Sequence, residues 1–252
     1  MKERKKLYEG KAKIIFKGDK PNTLIQYFKD DATAFNNKKK GTIHGKGVIN
    51  NLISELLMDK LSQLNIPNHL IKRVNMREQL IHQLEMIPLE IVVRNISAGS
   101  LVKRLGVQEG KVLARPLVEF YLKNDEFNDP IIAEEHILIF EWADSHEIEE
   151  MVSIALRVND FLIGFFLSQN IRLVDFKLEF GKIWLQNEQL IMIGDEISPD
   201  NCRLWDVKTN KKLDKDRFRE NLSDVDQAYK EVAFRLGVLS KDEFEKAVKN
   251  ET

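Results

Sequence analysis

The chain carries a single cysteine, Cys202, in 252 residues. No internal disulfide can form, and a lone thiol is in keeping with a reducing compartment. Proline is scarce at 6 residues, and no proline-rich or low-complexity linker marks a boundary. No apolar run stands out as long enough to cross a bilayer, and the first residues lack a signal-peptide pattern. The expectation is therefore a cytoplasmic protein without a membrane partner. Charge of one sign is missing too. The 39 basic and 40 acidic side chains leave a net charge of -1, so there is no global field for nucleic acid. The five histidines lack zinc spacing, no Walker-type glycine loop is present, and no Ser-His-Asp order suggests a hydrolase. Repeats at solenoid periods are absent.

What is present suits a globular chain. Hydrophobic content of 43% and charged content of 31% supply ample core for one large domain or two closely joined ones. The most informative stretch is Leu173 to Gly181. Side chains alternate along a strand, so Asp175, Lys177 and Glu179 share one face, and Val174, Phe176, Leu178 and Phe180 share the core face. A polar turn at Asn187-Glu188 leads into the apolar run Leu190 to Ile193, then Gly194-Asp195-Glu196. This reads as an antiparallel hairpin. A two-residue turn at 187–188 would pair Glu179 with Glu196. A bulge at Gly181 or an odd-length loop would bring Asp195 beside Glu179, and that shifted register is the one expected. Two converging carboxylates suit magnesium, which takes one or two carboxylates and completes its shell with water and phosphate oxygens. A half-exposed hairpin with surface charges has the same pattern.

Other segments add candidates. Leu7 to Phe16 reads as two strands around Gly10, with Lys11 and Lys13 placed to neutralise a polyphosphate; surface lysines on a hairpin read the same way. Thr23 to Phe28 reads as a strand, residues 30–47 as a long polar connection, and Val48 to Leu64 as a helix ended by Pro67. Arg94 to Gly106 reads as strand, turn and a short helix capped by Ser100. A helix start with a serine and a nearby arginine suits a phosphate, and equally suits a plain cap. Residues 107–143 look irregular, with short strands near 117–122 and 136–141. Ser145 is expected to cap a helix reaching about Gln169. Arg203 follows the hairpin, where it could hold an anion. Asp214 is expected to cap one helix ending at Gly237, and Ser240 to Glu243 to form a capping box.

Several motifs together resemble the SAICAR synthase family: Tyr8 to Lys13, Gly45-Lys46-Gly47 with Asn50-Asn51, Arg94-Asn95 with Ala98 to Gly106, Val174 to Gly181, and Gly194-Asp195-Glu196 through Ser198-Pro199-Asp200 to Asp206. They run in family order from near residue 7 to 237. The resemblance implies an α+β fold. An antiparallel N-terminal sheet (residues 1–88, ATP-binding) would join a larger C-terminal α+β part (residues 89–252, substrate and metal site), with an ATP cleft between them as in kinases. It implies an ATP-dependent ligase of de novo purine biosynthesis that joins L-aspartate to carboxyaminoimidazole ribonucleotide through an acyl phosphate. The implied cofactors are ATP and Mg2+, and a homodimer is common in the family. Carried over by position, Lys11, Ala12, Lys13 and Met86 would bind the nucleotide. Glu179 and Asp195 would hold magnesium. Glu90, Arg94, Ser100 and Arg203 would hold the ribonucleotide, and Asp175 and Lys177 would sit at the reacting centre. The loop at 31–40 has Asn36-Asn37 where some members have Asp-Gly, which touches any aspartate-binding role of that loop. A phosphotransferase using the same lysines and acids, and a binding protein without catalysis, are the competing readings.

Overall fold

The computed structural model describes residues 4–34, 39–185, 188–240 and 242–243. Asn36-Asn37, Asn187 of the expected turn and any tail helix past residue 243 lie outside the described residues. In chain order the elements begin with strands β1 (Lys6–Glu9), β2 (Lys13–Lys17), β3 (Thr23–Phe28), β4 (Asp31–Ala34) and β5 (Lys39–Thr42), then helix α1 (Lys46–Gln63). Strands β6 (Leu70–Arg73), β7 (Glu78–His82) and β8 (Glu85–Ile96) follow, then α2 (Gly99–Leu105) and β9 (Val112–Leu122). Next come β10 (Ile131–Ile132), α3 (Glu134–Ile139), α4 (Ser145–Ser168), β11 (Ile171–Leu185), β12 (Glu188–Ile193) and β13 (Cys202–Asp206). Helices α5 (Asp216–Arg219) and α6 (Val225–Arg235) close the series. The fold is α+β, and every strand pairing is antiparallel.

The chain divides into two compact units. Unit 1 comprises residues 1–83, 196–200 and 213–252; unit 2 comprises 84–195 and 201–212. Unit 1 holds a sheet in the order β1-β2-β3-β7-β6 and the separate pair β4-β5. Helix α1 packs on β3, β6 and α6, and its buried Ile53, Leu57, Met58 and Leu61 form the centre of this core. Unit 2 holds the sheet β10-β9-β8-β11-β12, with β13 also paired to β11. Helix α4 covers one face of it, against β8, β11 and β12. Val174, Phe176, Leu178 and Phe180 are all buried, as alternation along β11 requires.

Several local expectations give way. Residues 30–47 are not plain loop, because Asp31 pairs with Thr42 and Ala34 with Lys39 in a hairpin. The expected strand at 136–141 is α3 for most of its length, where four residues of apolar sequence read the same in either state. The cap of α4 is Asp144, which accepts from the Glu147 N–H while Glu147 returns a bond to the Asp144 N–H; Ser145 is the first helical residue. By length and composition α4 could cross a bilayer, contrary to the expectation from sequence. Its apolar stripe, including Ile148, Met151, Ala155, Val158, Leu162 and Phe166, is instead buried on the sheet. The single helix expected from Asp214 is two, α5 and α6, and Asp224, just before α6, is in the left-handed region. The capping pair Ser240 and Glu243 is present: the Glu243 N–H donates to Ser240 Oγ, and the Ser240 N–H to Glu243 Oε2.

Candidate active site

The candidate residues of unit 2 share one platform because of strand register. Along β11, Asp175 pairs with Arg94 of β8 and Glu179 with Glu90. On the far side of β8, Glu90 pairs with Tyr121 and Val92 with Glu119 of β9. Asp175 also pairs with Arg203 of β13. Cross-strand partners in a sheet project to the same side. The face opposite α4 therefore carries Glu119, Tyr121, Glu90, Arg94, Asp175, Lys177, Glu179 and Arg203.

Two charge clusters sit on that face. In the first, the Lys177 ammonium donates to Glu90 Oε1 at 2.5 Å and to Glu179 Oε1 at 3.0 Å. Lys123, from the residue after β9, holds the other oxygen of Glu179. Burial pulls the Lys177 ammonium down. The charges of Glu179, Glu90 and Asp195 outweigh it and hold Lys177 well above the usual lysine range. It is a fixed cation, not a base. Burial also pushes the Glu90 carboxyl above the usual range, against the pull of Lys177.

The hairpin register differs from both sequence alternatives. Leu185 pairs with Glu188 and Phe180 with Ile193, and the Gly194 N–H donates to the Glu179 carbonyl at 2.8 Å. The expected irregularity at Gly181 exists, but against β8, between Glu179 and Gly181. Asp195 is not brought in by pairing. It leaves the strand with φ 56°, a conformation that aspartate tolerates better than most residues, and its charge acts on Lys177. Met86, 42% exposed, lies over both glycines of this hairpin. A Cβ at Gly194 would sit 3.0 Å from its Cε, and one at Gly181 3.1 Å from its sulfur.

In the second cluster Asp175 is an acceptor for two arginines. Arg94 Nη1 donates to it at 2.8 Å, and Arg203 Nη1 donates to both its oxygens at 3.0 and 2.8 Å. Arg94 also donates through Nε to Glu119 and through Nη2 to Ser100 Oγ and Tyr121. Ser100 does not cap α2. Ala98 holds that position, and the serine is spent on Arg94. Gly99 is required here: its φ is +56°, and a Cβ would meet Arg203 Nη2 at 2.4 Å.

The remaining candidates lie in unit 1. Lys13 pairs with the buried Glu196 at 2.6 Å and stands over the Phe28 ring. Lys11 and Ala12 form the β1–β2 turn, where the Ala12 carbonyl accepts from Lys29 N–H at 2.8 Å. Sequence reasoning missed Glu196, Lys123, Glu119 and Tyr121. Glu119 and Tyr121 alternate on β9 and could have been flagged had residues 112–122 been read as one strand; Lys123 had no local signal.

Among the described residues no group of three or more His, Cys, Asp or Glu side chains is arranged to hold a metal. A cage made of protein alone is thus not what Glu179 and Asp195 provide. Glu179, which contacts the Lys177 ammonium, and Asp195, whose charge acts on it, are carboxylates of the kind a magnesium ion takes when its other oxygens come from phosphate and water.

The family model for SAICAR synthetase matches residues 6–236. The chain belongs to the SAICAR synthetase family. A relative named phosphoribosylaminoimidazole-succinocarboxamide synthase, from Rhodospirillum centenum, is 61% identical over 239 residues, 95% of this chain and 94% of its own length. The crystal structure of that enzyme from Ehrlichia chaffeensis matches with a TM-score of 0.91 at 48% identity, covering 94% of this chain and all of the other. A SAICAR synthetase solved in complex with ADP matches with a TM-score of 0.87 at 45% identity, over 91% of this chain and 96% of its own. As a SAICAR synthetase, the chain is an enzyme, a ligase of purine biosynthesis.

Proposed function

We propose that the chain joins the amine of L-aspartate to the carboxylate of carboxyaminoimidazole ribonucleotide, using ATP and passing through an acyl phosphate. The observation that carries this reading is the face of β8 and β11, where an ammonium held among Glu90, Glu179 and Asp195 adjoins an arginine cluster braced by Asp175. The first suits phosphoryl and acyl transfer; the second suits an anionic substrate. ATP use is supported by the relative solved with ADP.

A carboxylate is a poor acyl donor until one oxygen becomes a leaving group. A substrate carboxylate oxygen would attack the terminal phosphorus of ATP, and the bond from that phosphorus to ADP would break. The aspartate amine, having lost a proton, would attack the acyl carbon. The C–N bond forms, the C–O bond to phosphate breaks, and the second amine proton leaves. Lys177 stays protonated throughout, so it neutralises charge and orients carboxylates without taking a proton. Lys11 and Lys13 with the backbone of Ala12 and Met86 would bind ATP. Glu179 and Asp195 would hold Mg2+, which would neutralise phosphate oxygens when bound. Glu90, Arg94, Ser100 and Arg203 would hold the ribonucleotide, and Asp175 would keep the arginines in place. On this reading residues 1–88 carry nucleotide binding and residues 89–252 carry the substrate and metal. The enzyme would work in the cytoplasm as a homodimer; exposed Ile163 and Leu167 on α4 and Ile139 and Phe140 at α3 offer apolar surface for a second copy.

The test is ADP release by purified protein with magnesium, ATP and the ribonucleotide, with and without L-aspartate. Aspartate-dependent release with the succinocarboxamide product seen by mass supports the reading. Equal turnover without aspartate and without that product would overturn it.

A further inference from the structure

We infer that Glu196 is a positioning residue for nucleotide binding, its buried carboxylate fixing the direction of the Lys13 ammonium; the inference rests on the nucleotide role given to Lys13 above. A lysine carries its charge on a flexible four-carbon stem. A lysine that must point one way therefore needs partners that hold its end. Lys13 has two of them, both in unit 1. On β2 it pairs with Phe28 of β3, and its Nζ stands 5.7 Å from the centre of that buried ring, close enough for a cation–π contact. From the 196–200 segment, Glu196 Oε1 meets the same Nζ at 2.6 Å.

This pair differs from its neighbours on the same sheet. Lys29 meets Glu9 at 3.1 Å and Asp31 at 2.6 Å, acids whose side chains are 40% and 49% exposed; exposed pairs of that kind hold little. The Glu196 side chain is 3% exposed and that of Lys13 13%. The pair is therefore directed. Its carboxylate end is shut away from solvent, and its ammonium end is the one a ligand reaches. An ammonium has three donors, so one carboxylate does not exhaust it. The anchor is itself fixed. The Ile197 N–H donates to Ser54 Oγ of α1 at 3.3 Å. The Pro199 carbonyl accepts from the Lys215 N–H at 3.2 Å, and the Asp200 carboxylate accepts from Lys46 and Tyr229. A segment tied at these points leaves Glu196 little freedom, and Glu196 passes that restraint to Lys13. Without the buried charge the ammonium has lost its counter-ion and turns towards water, away from the direction a phosphate needs. Glu196 touches no ligand in this scheme; it acts through Lys13.

The experiment is calorimetry with ADP on the parent enzyme, E196Q, K13M and the double variant, each in EDTA and in Mg2+. Glutamine keeps the shape and an acceptor and removes only the charge. E196Q should raise Kd for ADP about 10-fold, the scale of one charge-assisted hydrogen bond, and by the same factor with and without Mg2+. K13M should raise it at least as much. The double variant should bind ADP no worse than K13M, because a residue that acts through Lys13 has nothing left to act on. Kd for the ribonucleotide should stay within about twofold in all three. Unchanged or tighter ADP binding by E196Q would overturn the inference. So would a loss that is as large in the K13M background as in the parent, which marks a purely structural role, or a loss seen only with Mg2+, which marks a metal ligand. Should circular dichroism show E196Q unfolded, E196D takes its place; it keeps the charge at shorter reach and should show a smaller loss that K13M again abolishes, and no loss would overturn the inference. A parent that binds no ADP, or K13M that binds it like the parent, refutes the nucleotide reading itself and takes the inference with it.

Discussion

Replacing Asp200 by asparagine should strip unit 1 of a buried anion that lysines and a tyrosine share. The Asp200 side chain is 5% exposed and accepts from Lys46 Nζ at 2.7 Å, with Lys46 itself 1% exposed. Tyr229 donates to its other oxygen at 2.6 Å, and Lys215 lies 3.8 Å away. Burial pushes the carboxyl up, yet Lys46, Lys215 and Tyr229 together hold it far below the usual range. The pair ties the first residue of α1 to the 196–200 segment and to α6. Removing one member of a buried pair costs about 3–5 kcal/mol, because the other charge is left uncompensated. Asparagine keeps an acceptor, which places D200N near the lower end, at about 3 kcal/mol. With a urea slope of about 3 kcal/mol/M, the unfolding midpoint should fall by about 1 M. The assay is urea unfolding followed by circular dichroism for the parent, D200N, K46M and the double variant. The double variant should lose at least about 1.5 kcal/mol less than the two single losses combined, since either change alone already strands the partner. A midpoint shift under about 0.3 M for D200N, or strictly additive losses, would refute this account of the network.

Three further outcomes follow from named geometry. K177M leaves Glu90, Glu179 and Asp195 without their common cation, so kcat/KM should fall about 100- to 1,000-fold; steady-state rates retaining more than a tenth of the activity would contradict the role given to Lys177. G99A places a β-carbon at φ +56° and 2.4 Å from Arg203 Nη2, so thermal unfolding should show a loss of about 1–2 kcal/mol, with a raised ribonucleotide KM; an unchanged melting curve would remove the need for glycine there. Burial lowers Lys215 from 10.5 to about 8. Between those values the unfolded chain binds the extra proton, so this group's contribution makes stability rise with pH through that window. The stability of K215M, measured from pH 8 to 9.5 alongside the parent, should lack that rise, and parallel curves would show that Lys215 titrates normally.

Much of the platform was legible because strand alternation is a local property. The two faces of β11 follow from its own residue order, and Asp175, Lys177 and Glu179 do share a side while Val174, Phe176, Leu178 and Phe180 fill the core. The β1–β2 hairpin, β3 and α1 were equally local, each carried by apolar spacing and a stop signal. Where two states share a short pattern, sequence reasoning failed: α3 resembled a strand, and the β4–β5 hairpin looked like loop.

The partners of these side chains are a tertiary matter. Whether Ser100 caps a helix or accepts from Arg94 depends on where β8 runs, and the structure spends it on the arginine. The β11–β12 register came out differently from the expected one, because slippage by one residue is invisible in apolar runs, and the left-handed turn at Asp195 did the work assigned to pairing. Residues 213–252 group with the first 83 residues, although nothing in their composition announces it. The sequence by itself determined which residue types lie on each face and, through its ordered motifs, the family. Only the tertiary structure decided which charge meets which, and so set Lys177 among Glu90 and Glu179 and made Asp175 a brace for two arginines. The reason is physical: alternation and capping act within a few residues, whereas ion pairing and burial also depend on neighbours brought together from as far as 154 positions away along the chain.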